Sequence, residues 1–217
     1  MAKLYYGLFV LFCGYTVSQV VSNVRLLNHI DYVIDVVSTT VQAVEQREWC
    51  NLKLPDLAFD IDETIFDNHV KGQVKYTNGF VVAIQHVDLQ QSTVQQVWSF
   101  NNTDQTATVS LRGTLRMHNV AIGYDVTAEL EDGSHRYTAK YVHPLVSFAF
   151  SVNRNINKED FEVTVVGTVT RSTNLLLFMP VDNTTDVLAT LFDSTTTAAG
   201  INAWGPDVFQ PITFDLV

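Results

Sequence analysis

The apolar positions between residues 22 and 48 recur at steps of three and four. This spacing places them on one side of an α-helix, with Asp31, Asp35 and Glu45 off that side. At the usual rise the helix would be about 40 Å long. Because β-branched residues are mediocre helix formers, burial against a large surface is needed to hold it. The apolar stripe consists of Val24, Leu27, Ile30, Ile34, Val37, Val41 and Val44.

From residue 69 to about residue 178 the pattern changes to period two. Between 106 and 117, for example, every second residue is apolar or glycine, and the others are mainly Thr, Ser and Arg. This alternation is typical of antiparallel strands with one buried face. Asn78-Gly79 and Asp132-Gly133 predict hairpin turns. The predicted strands are 69–77, 80–89, 93–101, 106–117, 120–130, 135–143, 145–155 and 161–171, and residues 50–68 are predicted to be irregular.

Glycines interrupt several of these strands near their middles. A glycine within a strand marks a bulge, a sharp bend or the close approach of another element. We therefore expect an α+β fold, in which a long curved antiparallel sheet wraps around the long N-terminal amphipathic helix. The glycines are Gly72, Gly113, Gly123 and Gly167.

The end of the chain predicts a short C-terminal helix over residues 184–192, with Val187, Leu188 and Leu191 on its apolar side. Residues 194–217 begin as a Ser/Thr/Ala/Gly segment and end in an apolar tail, whose order the pattern leaves open. No linker divides the chain. The predicted organisation is a single domain over residues 19–193, followed by the tail over 194–217.

The first eighteen residues have the pattern of a cleavable signal peptide. Lys3 precedes an apolar run of about twelve residues, and Thr16-Val17-Ser18 places small residues before a cut at Gln19. A membrane span needs about 20 apolar residues, so the run is too short for a stable span. The sequence thus predicts a secreted, extracellular protein. Cys50 would be its one cysteine after cleavage, and the sequons at Asn101 and Asn183 predict glycosylation.

Charge limits the classes of partner. The net charge of −10 falls to about −11 without Lys3. Nucleic acids and anionic membranes bind basic patches, so neither is an expected partner. Hydrophobic residues make up 47% and charged residues 17% of the chain, which is ample material for a core. The oligomeric state is left open.

One acidic stretch resembles the first motif of haloacid-dehalogenase-type phosphatases, D-x-D-x-T. The resemblance implies Asp60 as nucleophile and Asp62 as general acid/base, with both near Mg²⁺. That chemistry sits at the C-terminal end of a parallel strand that a helix follows. Here strand pattern follows the motif, and the crossover helices of a parallel sheet are missing. We therefore interpret the motif as an exposed acidic loop and keep the phosphatase as an alternative.

No other catalytic or metal-binding constellation is present. The six histidines make no tight ligand spacing, and neither a nucleophile elbow nor a phosphate-binding glycine loop occurs. The sequence therefore predicts no metal, no cofactor and no enzyme activity.

Three stretches resemble the group 7 mite allergen family and its insect relatives. They are residues 52–56 (LKLPD), 70–74 (VKGQV) and 110–115 (SLRGTL). These proteins belong to the tubular lipid-binding superfamily, with the juvenile-hormone-binding and bactericidal/permeability-increasing types. The resemblance covers roughly residues 22–193. The chain differs at its end, because members of the family close with a long amphipathic helix.

The resemblance implies an apolar groove between the sheet and the helices, with a lipid or other hydrophobic small molecule as partner. A secreted surface-recognition protein of the same fold, without an internal ligand, is the alternative. For each candidate lining residue, plain core packing is the competing interpretation. The candidates are Leu111, Leu115, Val126, Leu130, Phe148, Phe150, Val163 and Val165.

Overall fold

The computed structural model describes residues 29–103, 106–156, 158, 160–170 and 175–217. Within them, helix α1 (His29–Gln46) and a short 3-10 turn (Trp49–Asn51) precede seven strands. The strands are β1 (Leu57–Ile65), β2 (Asn68–Ala83), β3 (His86–Asn101), β4 (Thr106–Leu130), β5 (Gly133–Asn155), β6 (Phe161–Val169) and β7 (Leu175–Met179). The helices that follow are α2 (Asn183–Leu191), α3 (Ser194–Trp204) and α4 (Gln210–Leu216), and one turn of π-helix, Gly205–Phe209, joins α3 to α4.

The strands form one large sheet, and every pairing among the described strands is antiparallel. The long strands β4 and β5 pair along nearly their whole length and divide the sheet into two halves. The hairpin half lies beside the β4–β5 turn, where β2 pairs with β4, β1 pairs with the other edge of β2, and β7 pairs with β5. The distal half lies at the other end, where β3 pairs with β4 and β6 with β5.

Four of the predicted strand breaks are wrong, at residues 78–79, 90–92, 118–119 and 144, because β2, β3, β4 and β5 continue through them. The predicted strand 80–89 is instead divided, because β2 ends at Ala83 and β3 begins at His86. Asn78 and Asn119 lie within the continuous strands β2 and β4, each with a positive φ, of 55° and 50°. Asparagine tolerates this left-handed conformation better than most residues, so a bulge forms where the sequence suggests a turn. The register of β2 against β4 shifts between Thr77 and Phe80. Residues 135–143 and 145–155 likewise form the single strand β5.

The acidic stretch is also a strand rather than the predicted irregular segment. Its residues form β1, which pairs with β2 from Leu57 opposite Tyr76 to Ile65 opposite Asn68. Phe66 and Asp67, both at positive φ, make the turn between the two strands. The cross-strand hydrogen bonds compensate for carboxylates that disfavour strand structure.

Helix α1 is amphipathic as predicted, but its buried face is partly different. Ile30 is 45% exposed, whereas Thr40, outside the predicted stripe, is fully buried. The helix packs on β3, on β4 and on α4, where the hydroxyls of Thr40 and Thr213 lie 3.1 Å apart. A Cβ at Gly113 would approach Val33 Cγ1 to 2.8 Å, so glycine permits the close contact of sheet and helix. Val24 and Leu27 lie outside the described residues.

The predicted short C-terminal helix is α2, and the tail after it, whose order the sequence left open, is helical almost to Val217. Asp193 caps α3 through the backbone N–H of Thr195 at 2.9 Å. The apolar face of this segment is fully or nearly fully buried, and the indole of Trp204 donates to the carbonyl of Lys53 at 2.8 Å. Burial stabilises a segment whose composition alone is a poor helix signal. The buried apolar residues are Ile201, Trp204, Phe209 and Ile212.

Candidate functional site

The predicted groove residues all lie on the sheet face that the helices cover. Leu111 and Leu130 are half-buried and the other six are buried. Val126 and Leu130 belong to the hairpin half. The remaining candidates lie in the distal half and are Leu111, Leu115, Phe148, Phe150, Val163 and Val165.

The chain's own C-terminal segment fills the distal half. The Phe209 ring lies 4.6 Å from that of Phe148 and 6.1 Å from that of Phe150, centroid to centroid. Gly167 permits close contact, because a Cβ there would lie 2.8 Å from Cα of Asn202 in α3. What the structure shows for these residues is core packing, and their contact with a ligand remains a prediction.

The hairpin half contains a cluster of aromatic side chains around Tyr76. The Tyr76 ring stacks on Phe59 at 5.9 Å and lies 5.9 Å from Tyr124 and 5.4 Å from Phe192. We call this group the aromatic cluster. Its members are Phe59, Tyr76, Tyr124, Tyr137, Tyr141, Phe178 and Phe192.

Strand register and a helix cap assemble this cluster. Tyr137 and Tyr141 point to the same face because they are separated by an even number of residues on β5. Asp182 caps α2 by accepting from the Thr185 N–H at 2.9 Å, and it also accepts from the Tyr137 hydroxyl at 2.8 Å. Helix α2 ends at Leu191, so the cap on one side and Phe192 on the other attach α2 to the cluster.

The cluster contains polar atoms that lack partners. The hydroxyls of Tyr76 and Tyr124 are buried without a hydrogen bond among the described residues. Burial raises the pKa of the Tyr76 phenol far above its ordinary value. Burial, followed by the charge of Asp56, raises the pKa of Tyr124 to about 12. For Tyr137, burial and then the hydrogen bond to Asp182 raise the pKa to about 12.

His143 lies on the same sheet face, opposite Val120, and its side chain is only 1% exposed. Neither ring nitrogen has a hydrogen-bond partner in the described part of the chain. Its ring meets that of Tyr141 edge to face at 4.6 Å. Because burial disfavours the charged imidazolium, the pKa of His143 is lowered to about 4.

A cleft of about 440 Å³ opens beside the aromatic cluster. It lies between the start of β1 and the α2–α3 junction, and Phe59 and Phe192 belong both to its wall and to the cluster. Its volume is within the range of small-molecule sites. The lining residues are Asp56, Leu57, Ala58, Phe59, Leu191, Phe192, Asp193 and Thr196.

Asp60 and Asp62 lie in the middle of the exposed strand β1. The amide of Gln73 donates to Asp60 at 3.3 Å, and Lys71 Nζ lies 3.3 Å from the Asp62 carboxylate. His69 is 3.6 Å from that carboxylate on its other side. The phosphatase arrangement needs these residues at the end of a parallel strand, and β1 is antiparallel and edge-located. Their geometry therefore differs from the one that the motif implies.

The remaining predicted positions are at the surface. Asn101 ends β3 and Asn183 begins α2, and both are exposed. Cys50 is exposed as well, with its sulfur 3.7 Å from the Glu48 carboxylate. In the described part of the chain, no three His, Cys, Asp or Glu residues are grouped as a metal site would require. No helix there has the length and apolar character needed to cross a membrane.

Comparisons with known proteins identify a structural similarity only. No family model matches the chain. No curated protein matches it either. A solved structure, described as the crystal structure of lipopolysaccharide binding protein, matches with a TM-score of 0.47 at 9% sequence identity. The match covers 81% of this chain and 39% of that chain, so the present chain spans well under half of its length.

Sequence reasoning missed the aromatic cluster. It gave all apolar positions of the strands equal weight, although the buried tyrosines of the described strands all lie in the hairpin half. The available signal was the alternation of Tyr137, Tyr141 and His143 on one strand face, which places polar-tipped rings where aliphatic residues are expected.

Proposed function

We propose that this protein is a secreted carrier of a hydrophobic or amphipathic small molecule, which binds in the cleft beside the aromatic cluster. The observation that carries the proposal is the open cleft of about 440 Å³ with Phe59 and Phe192 in its wall, together with the hydroxyl of Tyr76, which is buried and has no partner among the described residues. Phe59 and Phe192 both contact the Tyr76 ring, so a ligand that enters between them reaches it.

An unpartnered buried hydroxyl costs about 1–3 kcal/mol, which a hydrogen-bond acceptor on the ligand would recover. Apolar ligand surface buried against the rings contributes about 25 cal/mol per Å². The two effects together favour a ligand with an apolar body and at least one acceptor oxygen at its buried end.

The mouth of the cleft restricts the exposed end of the ligand. Asp56 and Asp193 are exposed lining residues, and no basic residue lines this cleft. The carboxylates repel an anionic head group. We therefore expect a neutral or cationic head, which favours alcohols, esters and amines over free fatty acids.

The first test is mass spectrometry of an organic extract of the full-length protein, purified after secretion from insect cells. We expect one class of hydrophobic compound in stoichiometric amount. An empty extract, together with no uptake from an added lipid mixture, would refute the carrier function. Sequencing the secreted chain also tests export, because cleavage at the predicted position leaves Gln19 first.

A cleft-filling variant tests the location. Thr196 is an exposed cleft residue on α3, so Thr196→Trp places an indole at the opening. Ala83→Trp is the matched control, because Ala83 is exposed on β2 and does not line the cleft. With retinol as a neutral fluorescent probe, we expect Thr196→Trp to weaken uptake at least about tenfold and Ala83→Trp to leave it unchanged. Equal uptake by both variants would place binding elsewhere.

A second function, recognition of a protein or microbial surface, is favoured by one feature. At the tip of the distal half, Trp98 is 50% exposed, Phe100 72% and Ile156 52%. Strand register brings them together, since Phe100 is opposite Ala107, whose carbonyl accepts from the Ile156 N–H at 2.9 Å. Clustered exposed apolar residues mark interaction sites.

The two functions are separable by experiment. Trp98→Ser would abolish adhesion to immobilised bacterial cells if the tip recognises a surface, and it would leave retinol uptake unchanged. Val82→Ser is the control, because Val82 is 53% exposed on β2, away from the tip and from both grooves. Equal adhesion of the two variants would exclude the tip.

A further inference from the structure

A second groove lies on the distal half, and most of its lining side chains alternate along the strands with those that face the helices, so it opens on the other face of the sheet. Its volume is about 640 Å³, and it extends from the irregular part of β3 to β6. We call it the outer-face groove. Its lining residues are Ser92, Thr93, Gln95, Arg112, Gly113, Thr114, Ala149, Phe150, Ser151, Asn153, Thr164 and Val166.

Strand register places a row of polar side chains across this groove. Gln95 is opposite Arg112, Arg112 is opposite Ser151, and Ser151 is opposite Thr164. In β3 the pairing with β4 is interrupted between Gln90 and Gln95, where the Thr93 hydroxyl accepts from the backbone N–H of Thr114 at 2.9 Å. This irregular segment forms one wall of the groove.

Arg112 is the charged residue of the groove lining. No carboxylate of the described residues lies within ion-pair distance of it. Arg116, four residues along the same strand face, differs: its guanidinium binds the Asp88 carboxylate through two hydrogen bonds, of 2.9 and 2.6 Å. The register places the carboxylate of Glu162 opposite Asn153, and Glu162 does not line the groove.

The other lining groups suit a hydroxyl-rich ligand. The side chains of Ser, Thr, Asn and Gln both donate and accept hydrogen bonds, and they outnumber the apolar ones. Ala149 and Val166 are exposed and adjacent by register, so they offer a small apolar surface among polar groups. A sugar ring has the matching combination of hydroxyl edges and an apolar face.

We propose that the outer-face groove binds an acidic saccharide, whose carboxylate or phosphate pairs with Arg112 and whose hydroxyls bond to the polar row. A guanidinium binds either anion through two parallel hydrogen bonds. The saccharide is a free sugar acid or sugar phosphate, or the head group of a lipid. This site is on the opposite face of the sheet from the proposed cleft, and it does not depend on it.

The test is an NMR titration of the full secreted chain with glucuronic acid and with glucose phosphate, using glucose as the neutral control. We expect the amide signals of Gln95, Ser151 and Thr164 to shift with the anionic sugars, and glucose to bind at least about tenfold more weakly. Arg112→Gln should weaken binding of the anionic sugars at least about tenfold. Arg136→Gln, at an exposed position outside the groove, should leave it unchanged.

Vesicles distinguish the two sources of the saccharide. If phosphatidylinositol vesicles bind in an Arg112-dependent manner and the soluble sugars do not, the ligand is a lipid head group. If the soluble sugars bind, the ligand is a free sugar acid or sugar phosphate. Absence of binding in both arms, or equal affinity of the two arginine variants, would overturn the proposal. Thr196→Trp should not affect either arm, so failure of the carrier function is recognised separately.

Discussion

The buried His143 makes the stability of the protein depend on pH. In the folded chain burial holds the pKa of His143 at about 4, against an ordinary value of 6.5. Between these values the unfolded chain binds a proton that the folded chain does not. Stability from this residue is therefore complete above about pH 6.5 and is lost as the pH falls toward 4.

The magnitude follows from the two pKa values. At about pH 5 nearly all unfolded molecules carry the proton on His143, and only about a tenth of the folded ones do. The free energy of unfolding is therefore about 2 kcal/mol lower than at neutral pH. The loss reaches about 3 kcal/mol near pH 4. For a domain of ordinary stability this is a large fraction of the free energy of unfolding.

Urea unfolding of the wild type and of His143→Leu, near pH 8 and near pH 5, measures the effect. Leucine fills most of the same volume without a titrating group. Between about pH 8 and about pH 5 we therefore expect the free energy of unfolding of the variant to fall by about 2 kcal/mol less than that of the wild type. Asp88, whose pKa is lowered chiefly by its hydrogen bond to Arg116, is present in both proteins, so its contribution to the pH dependence cancels in the comparison. His86→Leu, at an exposed position, is the control and should lose as much as the wild type.

One result would refute the reasoning about His143. If wild type and His143→Leu lose the same free energy between the two pH values, then the folded chain accepts the proton readily. The imidazole would have to reach water or a hydrogen-bond acceptor, contrary to its burial and its lack of partners. An NMR titration of the ring gives an independent check, because the ring signal should not move above about pH 5.

Two further predictions concern the two halves of the sheet. Phe209→Ala should lower the free energy of unfolding in urea by about 3–5 kcal/mol, because it leaves a cavity where the ring packs on the distal half. Phe214→Ala, at a ring that is 51% exposed, should lower it by roughly 1 kcal/mol. Equal losses for the two variants would mean that the C-terminal segment is not docked. Tyr76→Phe should be neutral or stabilising by up to about 1 kcal/mol because its hydroxyl has no partner. Tyr137→Phe should lower the free energy of unfolding by about 1 kcal/mol, because it removes the hydrogen bond to Asp182. If Tyr76→Phe destabilised the protein more than Tyr137→Phe does, the Tyr76 hydroxyl would have to have a hydrogen-bond partner.

The sequence by itself determined the large antiparallel sheet and the amphipathic character of α1. Period-two alternation allows few other structures, because each strand must bury one face and expose the other. It did not determine where strands stop. Asn78-Gly79 has the local signal of a turn, yet β2 continues through it, because pairing with β4 on both sides outweighs the local preference.

Only the tertiary structure decided what covers the sheet. Residues 194–216 carry weak helix signals, and their helices depend on docking Trp204 and Phe209 against the distal half. That docking fills the groove expected at Phe148 and Phe150. The aromatic cluster depends on contacts from Phe59 to Phe192, which no local pattern specifies. Local periodicity states which face of an element is buried, whereas the partner that buries it is chosen by packing between residues far apart in the chain.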